Sequence, residues 1–187
     1  MDQIIDGRYQ LLKRLGDDDT SALYVASDLQ TGRVACLRLW SLEPSAVDRL
    51  VETPGRGPQT ASTSNPHVVT PYDWGVDRDL VYLARDYVSG RSLTDVVEHE
   101  GPLAVPLAVS YGAQIAEAVA AAHAAGQPHG RIRSSQVFVG DDGVIRVVGF
   151  EEASILAPIP SRPIRGFAAP SAKASPEAVD SEFNQER

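Results

Sequence analysis

A hairpin signal in the last third of the chain constrains its fold most. Two short apolar runs, Val137-Phe138-Val139 and Val144 to Val148, flank the turn Gly140-Asp141-Asp142-Gly143. Strand-forming residues on both sides of a Gly/Asp turn predict two antiparallel strands. A strong helical pattern from Leu103 to Ala125 precedes this hairpin. Gly126 is predicted to end this helix as its C-cap residue. This half of the chain therefore combines α and β structure.

The first half of the chain alternates apolar and polar residues over short segments, which is typical of β-strands. We predict five strands there, at residues 8–12, 23–26, 33–40, 68–74 and 80–87. Between the third and fourth, Ser45 to Glu52 predicts two helical turns. Pro54 to Pro58 end them, because proline and glycine break helices. Ser92 is the predicted N-cap of a further helix, Leu93 to His99.

Charge and composition limit the function classes. The chain has 17 basic and 25 acidic residues, a net charge of −8, which argues against nucleic acid or an anionic membrane surface as main partner. Cys36 is the only cysteine, so no internal disulfide can form, as in a reducing cytoplasm. We find no apolar run near the ~20 residues of a membrane span, and no signal peptide. We therefore expect a cytoplasmic chain without direct membrane insertion.

Several motifs, in the right order, resemble those of bacterial Ser/Thr protein kinases, particularly actinobacterial ones. Gly7-Arg8-Tyr9 and Leu15-Gly16 resemble the entry to the glycine-rich loop. Tyr82 to Gly90 resembles the hinge that holds adenine, and Ala122 to Gly126 resembles the end of the helix before the catalytic loop. The resemblance covers about residues 6–152.

This resemblance implies an α+β, protein kinase-like fold. Its N-lobe, residues 6–88, is expected to be a five-stranded antiparallel sheet, and residues 89–156 a truncated, mainly helical C-lobe. Residues 157–187 are rich in Pro, Ala and Ser, which predicts a disordered tail.

The resemblance also implies a nucleotide pocket. Its positions fall on Gly16, Leu23, Cys36, Arg38, Arg85, Asp86, Val88 and Phe138. Arg38 stands where the family has its phosphate-binding lysine. Arg85 stands at the gatekeeper place, where a buried cation needs a partner or must turn outward. Phe138 stands beneath adenine, where it either fills the pocket or packs in the core.

The glycine-rich loop of the family is altered in this chain. Gly16 remains, but Asp17 to Asp19 follow it. Glycines there let backbone N–H groups approach a triphosphate closely, whereas three carboxylates would repel it. The alternative interpretation of these acids is a solvated hairpin turn.

Two further motifs, His129-Gly130-Arg131 and Gly149-Phe150-Glu151, stand where kinases have His-Arg-Asp and Asp-Phe-Gly. Arg131 replaces the catalytic base, and arginine stays protonated. Gln136 and Gly149 replace the two metal ligands with a neutral amide and no side chain, so we expect no metal site.

The remaining residues of these motifs suggest other roles. His129 and Phe150 are retained, and we interpret them as core packing residues. Glu151 and Glu152 could hold a cation or simply end a strand at the solvent.

We therefore expect a catalytically inactive kinase-like domain, a pseudokinase that is not an enzyme. It would need no cofactor, bind ATP and Mg²⁺ weakly or not at all, and act as a protein-binding scaffold or regulator. The expected partner is an active Ser/Thr kinase or an actinobacterial cell-envelope regulator. The alternative is a weak or atypical ATP-binding Ser/Thr protein kinase, or a nucleotide-sensing switch. A third possibility is a phosphoacceptor, with candidate sites at Thr20, Thr31, Thr53, Thr60 and Thr63.

Overall fold

The computed structural model of the protein describes residues 3–17, 21–43, 45, 47, 63–150 and 161–162. Residues 45 and 47 are helical. The rest of the helix predicted from Ser45 to Glu52, and the segment from Pro54 to Pro58, lie outside the described residues.

The N-terminal sheet is antiparallel and contains the five predicted strands. Its strands in chain order are β1 (Ile4–Ile5), β2 (Tyr9–Asp17), β3 (Ser21–Asp28), β4 (Val34–Leu42), β5 (Pro71–Asp77) and β6 (Leu80–Asp86). They lie side by side in the order β1-β2-β3-β4-β6-β5. Strands β2 to β6 are the predicted ones, although β2 continues past its predicted end to Asp17.

The C-terminal part combines a second antiparallel sheet with two helices. The sheet contains β7 (Gly90–Ser92), β8 (Val137–Gly140) and β9 (Ile145–Val147), in that order. Helices α1 (Leu93–Glu100) and α2 (Val105–Ala124) come between β7 and β8, and a 3₁₀ turn (Ser134–Gln136) leads into β8.

Two local predictions in this part are confirmed. The Ser92 hydroxyl accepts a hydrogen bond from the Asp95 backbone N–H at 3.1 Å, and Asp95 accepts one from the Ser92 N–H at 3.2 Å, a reciprocal capping box. The β8–β9 hairpin closes through the predicted turn, where the Gly143 N–H donates to the Gly140 carbonyl at 2.8 Å.

One feature of the predicted architecture, the number of strands in the N-terminal sheet, is wrong. A short strand β10 (Ser161–Arg162) pairs with the end of β4, so the N-terminal sheet has seven strands among the described residues rather than five. Its additional strands, β1 and β10, have two residues each and are too short to show alternation. The described C-terminal part contains the sheet of β7, β8 and β9 beside its two helices, and the mainly helical C-lobe stays a prediction. The lobe boundaries near residues 88 and 156 stay predictions.

Helix α2 corrects the expectation that no apolar run approaches membrane-spanning length. It has 20 residues, and its most apolar window has a mean hydropathy of 1.2. This is weak evidence for membrane crossing, because core helices of soluble proteins have the same length and composition. Its buried residues, Ala118 and Ala122, pack against the second sheet. Val105 and Val109 are 75% and 67% exposed.

The two faces of the N-terminal sheet pack separate cores. Tyr24, Leu37 and Tyr82 belong to the core on one face. Trp40 and Leu83 belong to the core on the other. Because side chains alternate along a strand, β4 contributes to both cores. The N-terminal sheet is therefore packed on both of its faces.

Two connections between the sheets lie within the described residues. The hinge, residues 87–89, links β6 to β7. Upstream of β5, Val68 pairs with Val147 of β9 in a parallel bridge. The Val69 N–H donates to the Val147 carbonyl at 3.0 Å, and the Val147 N–H donates to the His67 carbonyl at 2.8 Å. Backbone hydrogen bonds therefore fix the segment before β5 against β9.

Candidate kinase-like nucleotide site

Five of the predicted pocket residues lie on one face of the N-terminal sheet. Gly16 of β2 is opposite Leu23 of β3, and Leu23 is opposite Arg38 of β4. On the other side of β4, Cys36 is opposite Arg85 of β6. Residues directly opposite in an antiparallel pair point to the same face, as do residues two apart along a strand. We call the surface formed by these five residues the cleft face.

Two arginines, Arg38 and Arg85, lie on the cleft face. Arg85 is 4% exposed and has an interaction partner, so its side chain stays inside rather than turning outward. Arg38 is half-buried, and its guanidinium carbon lies 5.8 Å from the centre of the Trp40 ring, within the range of a cation–π contact. Cys36, between them, is a buried free thiol. The cleft face thus combines two guanidinium groups with a thiol.

Phe138 points away from the core of the second sheet. Its neighbours Val137 and Val139 both pack in the cluster that includes Ala118 and Ala122 of α2. Because alternate residues of a strand point to opposite faces, Phe138 points to the other side, where it is half-buried. This favours a pocket-filling role over packing in that core.

The remaining pocket positions lie at the hinge or outside the described residues. Asp86 ends β6, and Val88 lies in the hinge itself. Of the predicted acidic turn, only the backbone of Asp17 is placed, opposite Ala22. Asp18 and Asp19 lie outside the described residues, as do Glu151 and Glu152.

His129 and Phe150 are buried and in contact. Their ring centroids are 4.8 Å apart, with an edge-to-face angle of 64°. The His129 ring donates from Nε2 to the Val148 carbonyl at 3.0 Å, and its Nδ1 accepts from the Arg131 backbone N–H at 3.4 Å. These contacts tie the segment before β8 to the end of β9.

The three altered catalytic positions supply no base and no carboxylate. Arg131 is exposed, and Gln136 uses its backbone carbonyl to accept from the Val148 N–H at 3.0 Å. Gly149 is buried with a φ of 98°, a left-handed conformation that strains residues with a Cβ. Within the described ranges, no group of three or more His, Cys, Asp or Glu side chains could hold a metal ion.

Sequence reasoning missed a polar network at the start of β2. Arg8 donates two hydrogen bonds to Asp28, at 2.9 and 2.7 Å, and a third to Asp73 at 2.7 Å. The Tyr9 hydroxyl donates to the same Asp73 oxygen at 2.7 Å. Burial raises the pKa of Tyr9, and the bond to Asp73 raises it further. The partners are 20 to 65 residues apart, so no local pattern reveals them.

The antiparallel sheet with its cleft face, the hinge, and the packed His129–Phe150 pair together define a protein kinase-like domain. No family model matches the chain. Curated relatives nevertheless support this class over most of the chain's length.

Three of these relatives are bacterial kinases. The chain is 29% identical to the serine/threonine-protein kinase PrkC of Bacillus subtilis over 154 residues, which are 82% of this chain and 24% of that protein. It is 33% identical to the serine/threonine-protein kinase PknE of Mycobacterium tuberculosis over 152 residues, 79% of this chain and 26% of that protein. It is 29% identical to the probable serine/threonine-protein kinase CPE1738 of Clostridium perfringens over 149 residues, which are 79% of this chain and 22% of that protein.

The resemblance to bacterial Ser/Thr protein kinases is therefore confirmed. The chain is related to them over about four fifths of its own length, but it spans only about a quarter of theirs.

The prediction that this chain is not an enzyme is wrong by this comparison. Relatives named as Ser/Thr protein kinases point to an enzyme, of which this chain matches one part. The prediction relied on Arg131, Gln136 and Gly149, and substitutions at such places do not by themselves establish inactivity. The scaffold role, the protein partner and the expected lack of a cofactor stay predictions.

Proposed function

We propose that this chain is the nucleotide-binding part of an atypical Ser/Thr protein kinase. The cleft face carries the proposal, because the strand register places Leu23, Cys36 and Arg38 together beside the hinge. These are the places where the kinase family holds adenine and phosphate. The kinase names of the relatives support the same interpretation.

The adenine end of this site would be largely apolar. Leu23 and Cys36 offer an apolar surface on the N-terminal sheet. Phe138 points out of the second sheet and offers an aromatic ring, which suits stacking on a planar base. Backbone groups of the hinge would pair with the polar edge of the base, as is usual in pockets of this kind.

Arg38 is the proposed phosphate contact. A guanidinium is planar, stays charged and binds phosphate oxygens through two parallel hydrogen bonds. Arg85 lies diagonally across β4 and β6 from Arg38 and adds positive charge to the same face. Away from bulk water, such charges attract an anion more strongly than at an open surface.

Mg²⁺, which the kinase family uses, fits this site poorly. Mg²⁺ prefers carboxylate and phosphate oxygens in octahedral geometry. Gln136 supplies an amide at one expected position, and Gly149 has no side chain at the other. We therefore expect the binding of nucleotide to depend little on Mg²⁺.

Thermal unfolding with increasing ATP tests the proposal. At an ATP concentration of about ten times Kd, binding adds roughly 1.4 kcal/mol to the free energy of unfolding. Arg38→Ala should abolish this increase and Arg38→Lys should retain part of it. Arg33→Ala removes an exposed arginine in the β3–β4 turn and should leave the increase unchanged. The proposal fails if about 10 mM ATP has no effect, or if Arg33→Ala and Arg38→Ala weaken binding equally.

Transfer of labelled γ-phosphate separates a weak kinase from a nucleotide sensor. Incorporation into the chain or an added protein, lost in Arg38→Ala, would identify a kinase. Stabilisation by ATP without incorporation would identify a sensor. Mass spectrometry of the same reaction would locate any phosphorylated threonine, such as Thr31 or Thr63.

A further inference from the structure

A cavity of about 530 Å³ borders the hinge, apart from the cleft face. Three segments line it: the stretch that leads into β5, the hinge, and the turn of the β8–β9 hairpin. No cleft-face residue contributes to this lining, nor does Phe138. We call it the hinge cavity. Its volume falls within the range of about 300–1,000 Å³ that is usual for ligand pockets.

Carboxylates dominate the polar lining of the hinge cavity. Asp142 accepts two hydrogen bonds from Arg146, at 2.9 and 2.6 Å, which hold the pKa of Asp142 below its usual range and offset its charge. Asp141 accepts a hydrogen bond from the Ser89 hydroxyl, which leaves its negative charge in place. Asp86 is exposed, and no ion pair reaches it from the described part of the chain. Within the described part of the chain, no cation therefore compensates the two negative charges on Asp86 and Asp141.

The rest of the lining is largely apolar. Val68 and Val69 lie on one side and Val88 on another. A long side chain with an apolar stem and a cationic end suits such a site, because its stem covers the valines while its charge reaches the carboxylates.

We propose that the hinge cavity binds a lysine or arginine side chain on a peptide segment of a partner protein. The charge balance favours this occupant, since a neutral or acidic side chain would leave Asp86 and Asp141 uncompensated. The net charge of −8 also attracts a basic segment at long range. The cavity shares Asp86 and Val88 with the predicted pocket positions, but none of the five cleft-face residues lines it, so this proposal does not depend on nucleotide binding.

Fluorescence anisotropy with two labelled pentapeptides tests the proposal. One peptide has a central arginine between leucines, and its control has glutamine in place of arginine. We expect saturable binding of the arginine peptide and at least about tenfold weaker binding of the control, since glutamine cannot form ion pairs with Asp86 and Asp141. Binding should weaken as salt increases.

Charge-matched variants distinguish a site from general attraction. Asp86→Asn combined with Asp141→Asn should reduce affinity about tenfold. Asp79→Asn makes the same kind of charge change at an exposed turn, at the opposite end of β6, and should leave affinity unchanged. In the unaltered chain, methyl NMR signals of Val68 and Val88 should shift when peptide is added.

Each contrary result overturns the proposal. Absence of saturable binding at millimolar peptide would do so, as would equal affinity for the arginine and glutamine peptides. If Asp79→Asn lowers peptide affinity as much as the double variant does, the peptide is attracted by the general negative charge and not by a site. If the double variant fails to fold, Val68 and Val88 signals that do not move in the unaltered chain would overturn the proposal equally.

Discussion

The guanidinium of Arg8 and the buried carboxylate of Asp28 form an ion pair with two hydrogen bonds, which joins the start of β2 to the end of β3. Asp28 is 1% exposed, whereas Arg8 is 21% exposed. Removal of Arg8 would leave a buried negative charge with only the neutral donors of Gln30 and Thr31. The consequences of this pair can be measured.

We expect Arg8→Met to lower the free energy of unfolding by about 3 kcal/mol, because a buried carboxylate loses its cation. Urea unfolding followed by circular dichroism measures the change. Arg33→Ala removes an exposed arginine and should change stability by less than about 0.5 kcal/mol. Equal losses of unfolding free energy in the two variants would show that the Arg8–Asp28 ion pair stabilises the protein no more than an exposed arginine does.

Acid should weaken the same pair. The hydrogen bonds from Arg8 hold the pKa of Asp28 well below its ordinary value of 3.8. The stabilisation is therefore fully present above that value and is lost as the pH falls through it toward the lower native pKa. We expect the free energy of unfolding to fall from about pH 5 to pH 2, and less steeply in Arg8→Met. Parallel pH profiles of the two proteins would contradict this expectation.

Gly90 should tolerate no side chain. It starts β7 with a φ of 135°, and an added Cβ would lie 2.2 Å from the Val139 carbonyl oxygen and 2.8 Å from the Gly140 Cα. Both are backbone atoms and cannot move aside cheaply. We expect Gly90→Ala to cost at least about 2 kcal/mol, from strain and overlap together.

Gly112 gives the matched control for Gly90. It lies within α2, and an added Cβ meets nothing within 4 Å. Gly112→Ala should stabilise the protein by about 0.5–1 kcal/mol, because alanine favours the helix. Thermal unfolding of both variants checks the expectation. A neutral Gly90→Ala variant would show that β7 and β8 are not packed as described.

Gly149→Asp should make nucleotide binding depend on Mg²⁺. Aspartate tolerates the left-handed backbone of Gly149 better than most residues and adds a hard oxygen ligand. Calorimetry should show a larger gain in ATP affinity on addition of Mg²⁺ than in the unaltered chain. Gly143→Asp adds the same charge at a similar φ of 75°, in the hairpin turn, and should show no such gain. Equal behaviour of both variants would place the Gly149 position outside the nucleotide site.

Much of the local structure could be predicted from the sequence because its signals are short in range. The capping box at Ser92 and the turn of the β8–β9 hairpin both depend on residues within a few positions of each other. The pocket positions came from the resemblance to kinases, and the observed strand register explains why five of them share the cleft face.

Other features depend on contacts that no local pattern contains. Strands β1 and β10 have two residues each and gain their structure from pairing with β2 and β4. The ion pair of Arg8 with Asp28, and the shared acceptor Asp73, join distant segments. The hinge cavity likewise brings together three separate parts of the chain. The resemblance to the kinase family predicted the fold. It could not establish whether a chain with Arg131, Gln136 and Gly149 at the catalytic positions is still active.

The parallel bridge between Val68 and Val147 has a mechanical consequence. With the hinge, it makes a second point of attachment between the two sheets. Movement of one sheet against the other must therefore deform the hinge or break the backbone hydrogen bonds at Val147. Both attachments also contribute to the lining of the hinge cavity, so its shape depends on the two together.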